Sequence, residues 1–332
     1  MLKKSSIWLI APALVLAVVA VISYPIWRPI GVIVLEGHGG VLSSEEGDIA
    51  ADIPVEVRAY LTGWVKAPAN ILIDQRDPRT PEEITRPIWV PSLAYVVKHP
   101  KSGVAVLDTG LRAGQCDYGF QPFYWVPCRN ERGADLVSQL KSDGVEPEEI
   151  RFVVPSHLHG DHISGMDSLL DYTNAPVLMT HATLRSLKSP GRVAKGIPTS
   201  MLSSNLRVRI IDEGFRRSRL GIDVYDVFGD GSLRLFPTPG HTEGHISALA
   251  RGTEGDILFT FDASHLAANL HLGIPSGAVS SEEAAIMSLK KIASLDDQAE
   301  SIQIIYGHEP GQWDCVKKTA LLDGATDLCG RN

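Results

Sequence analysis

Short apolar stretches rich in β-branched and aromatic residues recur along most of the chain, and they constrain the fold more than any other feature. Each has the length of a strand and is bounded by turn residues, as in VEVRAYL, GVAVLDTG, IRFVVPS, LRLFPT, DILFTFD and IQIIYGH. Helical patterns are fewer and fall at 134–144, 182–188 and 281–295. Many strands with few helices predict two β-sheets covered by outer helices.

The composition limits the classes of protein that the chain can belong to. Its 332 residues, 44% hydrophobic and 21% charged, suit one large globular domain with an appendage. A net charge of -8 disfavours a nucleic acid partner, because binding to a phosphate backbone relies on a surface rich in Lys and Arg. The composition leaves the oligomeric state open.

The N-terminal segment differs from the rest of the chain. Residues 5–27 carry no charge, and as a helix that rises about 1.5 Å per residue they could span a hydrocarbon core of about 30 Å. The positive charges before this segment outweigh the single Arg28, so we expect the N-terminus in the cytoplasm and the remainder in the periplasm or outside the cell. A cleaved signal peptide is the alternative. The expected organisation is a membrane anchor or signal segment over 1–28, a linker over 29–52 and one globular domain over 53–332.

Cysteine spacing agrees with export. Cys116 and Cys128 lie in a stretch rich in Gly, Pro and aromatic residues, while Cys315 and Cys329 lie near the C-terminus. Four cysteines allow three pairings, and two short local loops are the simplest in an oxidising compartment. We therefore predict disulfides between Cys116 and Cys128 and between Cys315 and Cys329, with four free thiols as the alternative.

The stretch SHLHGDH directly follows the apolar run at 150–154 and concentrates potential metal ligands. In an extended segment alternate side chains point the same way, so His157 and His159 share a face. The chain can turn at the glycine that follows, which directs Asp161 and His162 towards a second point. This spacing predicts two metal ions rather than one.

Further donors follow strands later in the chain. His241 lies in TPGHTEGH after a Pro-Gly turn, Asp262 ends the run LFTFD, and His308 follows the run QIIY. Side chains placed just beyond buried strands lie along one edge of the sheets, where loops can gather them. Imidazole and carboxylate are good ligands for zinc and similar ions. Any one histidine is more often an ordinary surface or core residue, but together these donors predict a metal site.

The chain resembles the metallo-β-lactamase superfamily, because HxHxDH, a TPGHTxGH turn, an aspartate at a strand end and a late GH occur in that family's order between residues 91 and 308. The resemblance implies an αββα sandwich, in which two mixed β-sheets are flanked by helices. It also implies two divalent metal ions, with Zn²⁺ the expected species. It assigns His157, His159 and His241 to a first metal, Asp161, His162 and His308 to a second metal, and Asp262 to a bridging position.

Other polar residues receive different expectations. Asp108 in VAVLDTG resembles the family's structural aspartate, so we expect it to support a ligand rather than to bind metal. His245 is expected to support the turn that carries His241. We expect His99 and His271, by contrast, to be solvated surface residues.

The metal site indicates a reaction class. Two ions about 3.5 to 4 Å apart can share a water and lower its pKa from about 15.7 towards about 7. A metal-bridging hydroxide could then attack a carbonyl carbon, with Asp161 as a candidate proton acceptor. The prediction is a metal-dependent hydrolase that acts on a small ester or lactone.

Within the superfamily the motifs are most similar to the N-acyl homoserine lactonases. Those enzymes place a tyrosine three residues after the bridging aspartate, where this chain has His265. We expect either that His265 donates a similar bond to the substrate as a catalytic group, or that it is a rim residue. The alternatives left open are a β-lactamase, a glyoxalase-like thioesterase, an iron oxygenase of persulfides, and a non-catalytic, membrane-tethered metal-binding module.

Overall fold

The computed structural model describes most of the predicted globular domain and a short piece of the stretch before it. The described residues are 30–35, 53–117, 126–189, 192, 196–197, 202, 205–298, 302–316 and 321–322. The predicted membrane segment at 1–28 and most of the predicted linker at 29–52 lie outside them. Among the helices within these ranges, none has both the length and the apolar composition needed to cross a bilayer.

The secondary structure of these ranges is dominated by strands. The strands are β1 (Gly31–Val34), β2 (Glu56–Ala67), β3 (Ile88–His99), β4 (Gly103–Leu107), β5 (Cys128–Arg129), β6 (Ile150–Val154), β7 (Val177–Met179), β8 (Asn205–Ile210), β9 (Arg216–Arg217), β10 (Asp223–Asp226), β11 (Leu233–Pro237), β12 (Ile246–Arg251), β13 (Asp256–Phe261), β14 (Ile302–Tyr306) and β15 (Leu321–Leu322). The helices are α1 (Ala69–Leu72), α2 (Leu136–Ser142), α3 (Gly160–Ile163), α4 (Met166–Tyr172), α5 (His181–Lys188), α6 (Ala267–Leu272), α7 (Glu282–Gln298) and α8 (Pro310–Val316), with 3₁₀ turns at Glu82–Ile84 and Asp212–Gly214.

The strands form two mixed sheets. The first has the order β1-β8-β7-β6-β4-β3-β2-β15, with β5 paired to β2. Its pairs are parallel from β1 to β4 and antiparallel from β4 to β15. The second has the order β14-β13-β12-β11-β10-β9, in which only β13 and β14 run parallel among the described strands.

Neighbouring residues on the central strands point into different hydrophobic layers, as the pleat requires. In β4, Leu107 faces the core between the two sheets while Val106 faces the core under α2, α4 and α5. In β13, Phe259 faces the same inter-sheet core while Leu258 packs with Leu289 of α7. Each large side chain buried in this way stabilises the fold by about 1.5–3 kcal/mol. Helix, sheet, sheet and helix therefore lie in the predicted order, which confirms the αββα sandwich.

Part of the stretch predicted as a linker forms an edge strand. Residues of β1 pair in parallel with β8, from Gly31 opposite Asn205 to Val34 opposite Val208. The segment GVIV is rich in β-branched residues, which favour a pleated surface. Ile33 is nevertheless 53% exposed, as expected at the edge of a sheet.

The three predicted helices are present as α2, α5 and α7. Asp135 caps α2 by accepting a hydrogen bond from the backbone N–H of Ser138, and Thr180 caps α5 in the same way through Thr183. The helices α1, α3, α4, α6 and α8 were not predicted, because a run of four to seven residues shows little periodicity.

Three expectations outside the metal motifs have clear outcomes. The predicted disulfide between Cys116 and Cys128 is confirmed, with 5.4 Å between the two Cα atoms. The other predicted pair includes Cys329, which lies outside the described residues. The expectation that His99 is solvated is wrong, because its buried Nε2 bonds Asp230 at 2.7 Å while Nδ1 accepts backbone N–H groups. His271, in contrast, is exposed.

Candidate metal centre

The predicted metal ligands come from separate strand ends and meet at one edge of the two sheets. Four of them lie in the turn after β6 and in α3, which begins at the glycine of SHLHGDH. The others follow β11, β13 and β14. Within each of two sets the possible ligand atoms lie within 4.8 Å of one another: His157, His159, His241 and Asp262 in the first set, and Asp161, His162 and His308 in the second set.

Asp262 faces both sets, one carboxylate oxygen towards each. Its Oδ1 lies 3.1 Å from Nε2 of His162 and 3.2 Å from Nε2 of His308. Its Oδ2 lies 3.3 Å from Nε2 of His241 and 3.6 Å from Nε2 of His157. The two sets therefore form one centre with a carboxylate between them.

Hydrogen bonds orient the two histidines of the second set. His162 donates its Nδ1–H to Asp108 Oδ2 at 2.7 Å, and His308 donates its Nδ1–H to the carbonyl of Pro91 at 2.9 Å. Each bond directs Nε2 towards the centre, as is typical of metal-binding histidines. Asp108 also accepts from the backbone N–H and hydroxyl of Ser156, at 2.6 and 2.9 Å. Asp108 therefore supports a site residue, as expected.

Ser156 and Pro91 are functional residues that the sequence analysis missed. Ser156 stands directly before the histidine motif, and that position is a signal that could have identified it. The carbonyl of Pro91 has no sequence signal, because any residue carries one.

The first set is held in a different way. Burial lowers the pKa of each of its imidazoles, His157, His159 and His241, which favours the neutral form that binds metal. Nε2 of His157 and Nδ1 of His241 are buried without a hydrogen bond to any described residue. Nε2 of His241 lies 2.8 Å from Nδ1 of His159. Nε2 of His157, Nδ1 of His159 and Nε2 of His241 therefore meet at the centre, where both Nε2 atoms face Asp262 Oδ2.

The electrostatics of the second set also suit a cation. Burial alone would lower the pKa of His162, but the carboxylates of Asp262 and Asp108 outweigh it and raise the pKa. Burial would raise the pKa of Asp262, but the surrounding imidazoles hold it well below its ordinary value. The centre thus combines an ionised carboxylate with a field that favours positive charge, and its donor set fits divalent metal ions.

Two backbone positions at the centre are strained: Phe261 directly precedes Asp262, and Asp108 accepts the Nδ1–H of His162. Phe261 has φ 45° and Asp108 has φ 55°, although neither is glycine. Such residues typically destabilise a fold by about 1–3 kcal/mol each and occur at functional sites. The pairing of β13 with β14 also shifts register between Phe259 and Phe261. These features end β13 and turn Asp262 out of the sheet.

The turn that carries His241 is fixed from two sides. Gly240 has φ +137°, and a Cβ atom there would lie 2.3 Å from the backbone nitrogen of Ala285 in α7. On the other side, His245 accepts the backbone N–H of Asp262 at Nε2, 3.1 Å away. Its Nδ1–H therefore donates to Thr238 Oγ1 at 2.8 Å. Burial lowers the pKa of His245 to about 3, so it stays neutral in this supporting role.

His265 lies inside the centre rather than at its rim. The residue is 1% exposed, and its Nε2 is 3.2 Å from Asp262 Oδ2. Its ring stacks on His308, with centroids 5.6 Å apart, and meets the ring of His241 edge to face at 5.0 Å. The rim alternative for this residue is therefore wrong.

A cavity of about 270 Å³ adjoins the centre. One side consists of the polar residues His159, Asp161, His241, Asp262, His265 and His308. The other side is apolar and includes Val65, Ile71, Leu72, Val90, Leu111 and Val126. The disulfide described above packs against this apolar side, because Cys116 and Cys128 share a hydrophobic cluster with Leu72 and Leu111. A ligand with a polar end and an apolar arm would suit this cavity.

Known proteins resemble the chain in sequence and in structure. The family profile described as "Metallo-beta-lactamase superfamily" matches residues 87–308. An N-acyl homoserine lactonase, AttM, from Azorhizobium caulinodans is 28% identical over 244 residues, which cover 69% of this chain and 86% of the relative. An N-acyl homoserine lactonase from a Bacillus species is 27% identical, over 69% of this chain and 84% of the relative. The solved structure of an N-acyl homoserine lactone hydrolase with N-hexanoyl-L-homoserine at its catalytic metal centre has a TM-score of 0.63 at 22% identity, and the match covers 79% of this chain and 96% of that one.

Proposed function

The chain belongs to the metallo-β-lactamase superfamily and is a metal-dependent hydrolase, and we propose that it is a dinuclear enzyme that opens small lactones, N-acyl homoserine lactones among them. The observation that carries the proposal is the position of Asp262, with one oxygen towards each set of donors. The lactonases named above support lactones as the substrate class.

The two donor sets would hold one divalent ion each, with Asp262 between them. Zn²⁺ is the ion we propose, because neutral imidazole and carboxylate oxygen are among its usual ligands. When bound, such a pair supplies a water of lowered pKa as the nucleophile and polarises the carbonyl that the nucleophile attacks. This division of the donors between two ions is the one that the resemblance to the family implies.

The residues around the centre position the substrate and move a proton. The side chain of Asp161 is 23% exposed and lines the cavity, with Oδ2 3.5 Å from Nε2 of His308. From this position Asp161 accepts a proton during ring opening and delivers it to the leaving oxygen of the lactone. The apolar wall at Leu72, Val90 and Leu111 excludes water and receives an acyl arm. We propose that His265, whose Nε2 lies 3.2 Å from Asp262 Oδ2, is catalytic as well.

Turnover on a panel of substrates tests this proposal. The full chain is purified, its metal content is measured, and hydrolysis of N-acyl homoserine lactones, aryl esters, thioesters and β-lactams is followed with and without a chelator. We expect about two metal ions per chain and lactone opening that a chelator abolishes and added Zn²⁺ restores. Lactone opening that is indifferent to chelation, or preferential cleavage of β-lactams or thioesters, would contradict the proposal.

We also propose that the catalytic domain acts outside the cytoplasm, anchored by residues 1–28 or released after their cleavage. The bond between Cys116 and Cys128 supports this, because disulfides persist mainly in oxidising compartments. Fusion of alkaline phosphatase after residue 332 in a bacterial host tests it, because that reporter is active only after export. An inactive but stable fusion would contradict the location without affecting the proposed reaction.

A further inference from the structure

His265 is a buried histidine, 1% exposed, with two polar ring nitrogens that require partners. Neither Nδ1 nor Nε2 forms a hydrogen bond with any residue that the structure describes. A buried polar group without a partner destabilises a protein by about 1–3 kcal/mol. No hydrogen bond to a described protein group explains why an imidazole occupies this position. We therefore expect the partner of His265 to be a species bound at the centre itself.

The position of Nε2 indicates which partner this is. Nε2 of His265 lies 3.2 Å from Asp262 Oδ2, the same oxygen that lies 3.3 Å from Nε2 of His241 and 3.6 Å from Nε2 of His157. Atoms bonded to one ion at about 2.0–2.1 Å lie about 3 to 4 Å apart. Nε2 of His265 and Oδ2 have such a separation and yet form no hydrogen bond with each other. The geometry suits two ligands of one ion better than a donor and its acceptor.

We propose that His265 binds the first metal through Nε2, together with His157, His159, His241 and Asp262. This inference rests on the metal centre of the proposed function, but it does not depend on which substrate is hydrolysed. The first metal would then have five protein ligands and the second metal four, with Asp262 counted at both. The ring of His265, which packs between His241 and His308, would therefore control access to the first metal from the cavity.

A hydrogen bond from His265 to the substrate is the competing role, and metal binding in the absence of substrate separates the two. The variants are His265→Phe, which keeps a planar ring without a donor, and His271→Phe as the matched control. His271 is exposed and lies six residues further on, in α6. Zinc affinity is measured by chelator competition, and the visible spectrum is recorded after loading with Co²⁺.

We expect His265→Phe to weaken the binding of one metal ion by about tenfold or more, since even the outer partners of ligands change metal affinity by about 10–100-fold. We also expect its Co²⁺ spectrum to shift, while His271→Phe matches the unmodified chain in both measurements. Equal affinities and superimposable Co²⁺ spectra for His265→Phe and the unmodified chain would overturn the proposal.

A measurement on the unmodified chain guards against misfolding of the variant. In long-range ¹H–¹⁵N spectra we expect Nε2 of His265 to move to the chemical shift of a metal-bound nitrogen when Zn²⁺ is added. A nitrogen that stays protonated after zinc loading would overturn the proposal. A chain that binds zinc without opening lactones would refute the substrate and leave this inference standing, whereas a chain that binds no metal would refute both.

Discussion

The two sets of donors at the centre are built in different ways. In the second set, His162 and His308 each donate Nδ1–H to a fixed acceptor, so their rings are oriented by protein groups alone. In the first set, His157 and His241 retain buried nitrogens without partners among the described residues. Among the described residues, a comparable contact in the first set is made by His157, whose Nδ1 lies 3.1 Å from Ser156 Oγ. The second set is therefore more preorganised, whereas the first set depends more on its loops and on the ion for its final geometry.

This difference indicates which of the two metals a given substitution should affect. Changes to supporting hydrogen bonds should weaken the second metal, and changes to the packing of the turn at 239–245 should weaken the first. Because Asp262 directs one oxygen towards each set, only its loss should affect the two metals together.

The largest effect is expected for Asp262→Ala. Removal of the carboxylate between the two sets should release both metals and reduce lactone turnover by more than about 100-fold, beyond what loss of an outer partner typically does. Metal analysis after dialysis and initial rates provide the measurement. The matched control is Asp256→Ala at the opposite end of β13, where the carboxylate pairs with Arg234 and Arg251. Two metals retained by Asp262→Ala would refute the shared carboxylate.

The second largest effect is expected for Gly240→Ala. The added Cβ would collide with the backbone of Ala285 and strain a left-handed residue, so the turn that carries His241 must shift. We expect loss of one metal with the other retained, as measured by metal analysis. Gly273→Ala is the control, because Gly273 is also left-handed, with φ +66°, but a Cβ there meets no atom within 4 Å. If both variants keep two metals, the first set does not depend on this packing.

A smaller effect, on the second metal instead of the first, is expected for Asp108→Asn. An amide has only one acceptor oxygen, so it cannot accept both the backbone N–H of Ser156 and the Nδ1–H of His162 as the two carboxylate oxygens do. The affinity for the second metal should therefore fall by about 10–100-fold while the first metal stays bound. Chelator competition measures the two affinities. The control is Asp230→Asn, which alters a similar pair, since Asp230 lies 2.7 Å from a nitrogen of His99 away from the centre. Equal behaviour of the two variants would contradict the proposed support.

The smallest effect concerns stability and pH at His245. Burial holds its pKa at about 3 in the folded chain, below the ordinary value of 6.5. As the pH falls below 6.5, the unfolded chain takes up a proton that the folded chain does not, so stability falls by up to about 1.4 kcal/mol per pH unit. In His245→Gln the free energy of unfolding should therefore fall less steeply with decreasing pH, by up to about 1.4 kcal/mol per pH unit. Urea unfolding at pH 7 and pH 5 with a chelator present tests this, and identical slopes would contradict it.

The sequence predicted those features that depend on local pattern. Short apolar runs predicted the strands β4 and β13, and the separate HxHxDH and TPGHTEGH motifs supply donors that the structure brings together. Strand ends meet at one edge of a sheet, so the position of each donor just after a strand was enough to predict that the donors lie close together. The resemblance to a known family supplied the division of these donors into two sets.

The features that were missed depend on contacts between distant residues. Burial of His99 requires Asp230, which lies 131 residues away in the chain. The positive φ of Phe261 results from the bulge between β13 and β14, and no local pattern marks it. Whether His265 lies at the rim or inside depends on the rings of His241 and His308, so the sequence left both alternatives open.

The most direct test of the central claim is anomalous diffraction at the zinc absorption edge from crystals of the full chain grown with Zn²⁺. We expect two peaks, one in contact with His157, His159 and His241 and the other with Asp161, His162 and His308, with Asp262 touching both. No peak at these residues, or a single peak that Asp262 does not touch, would contradict it.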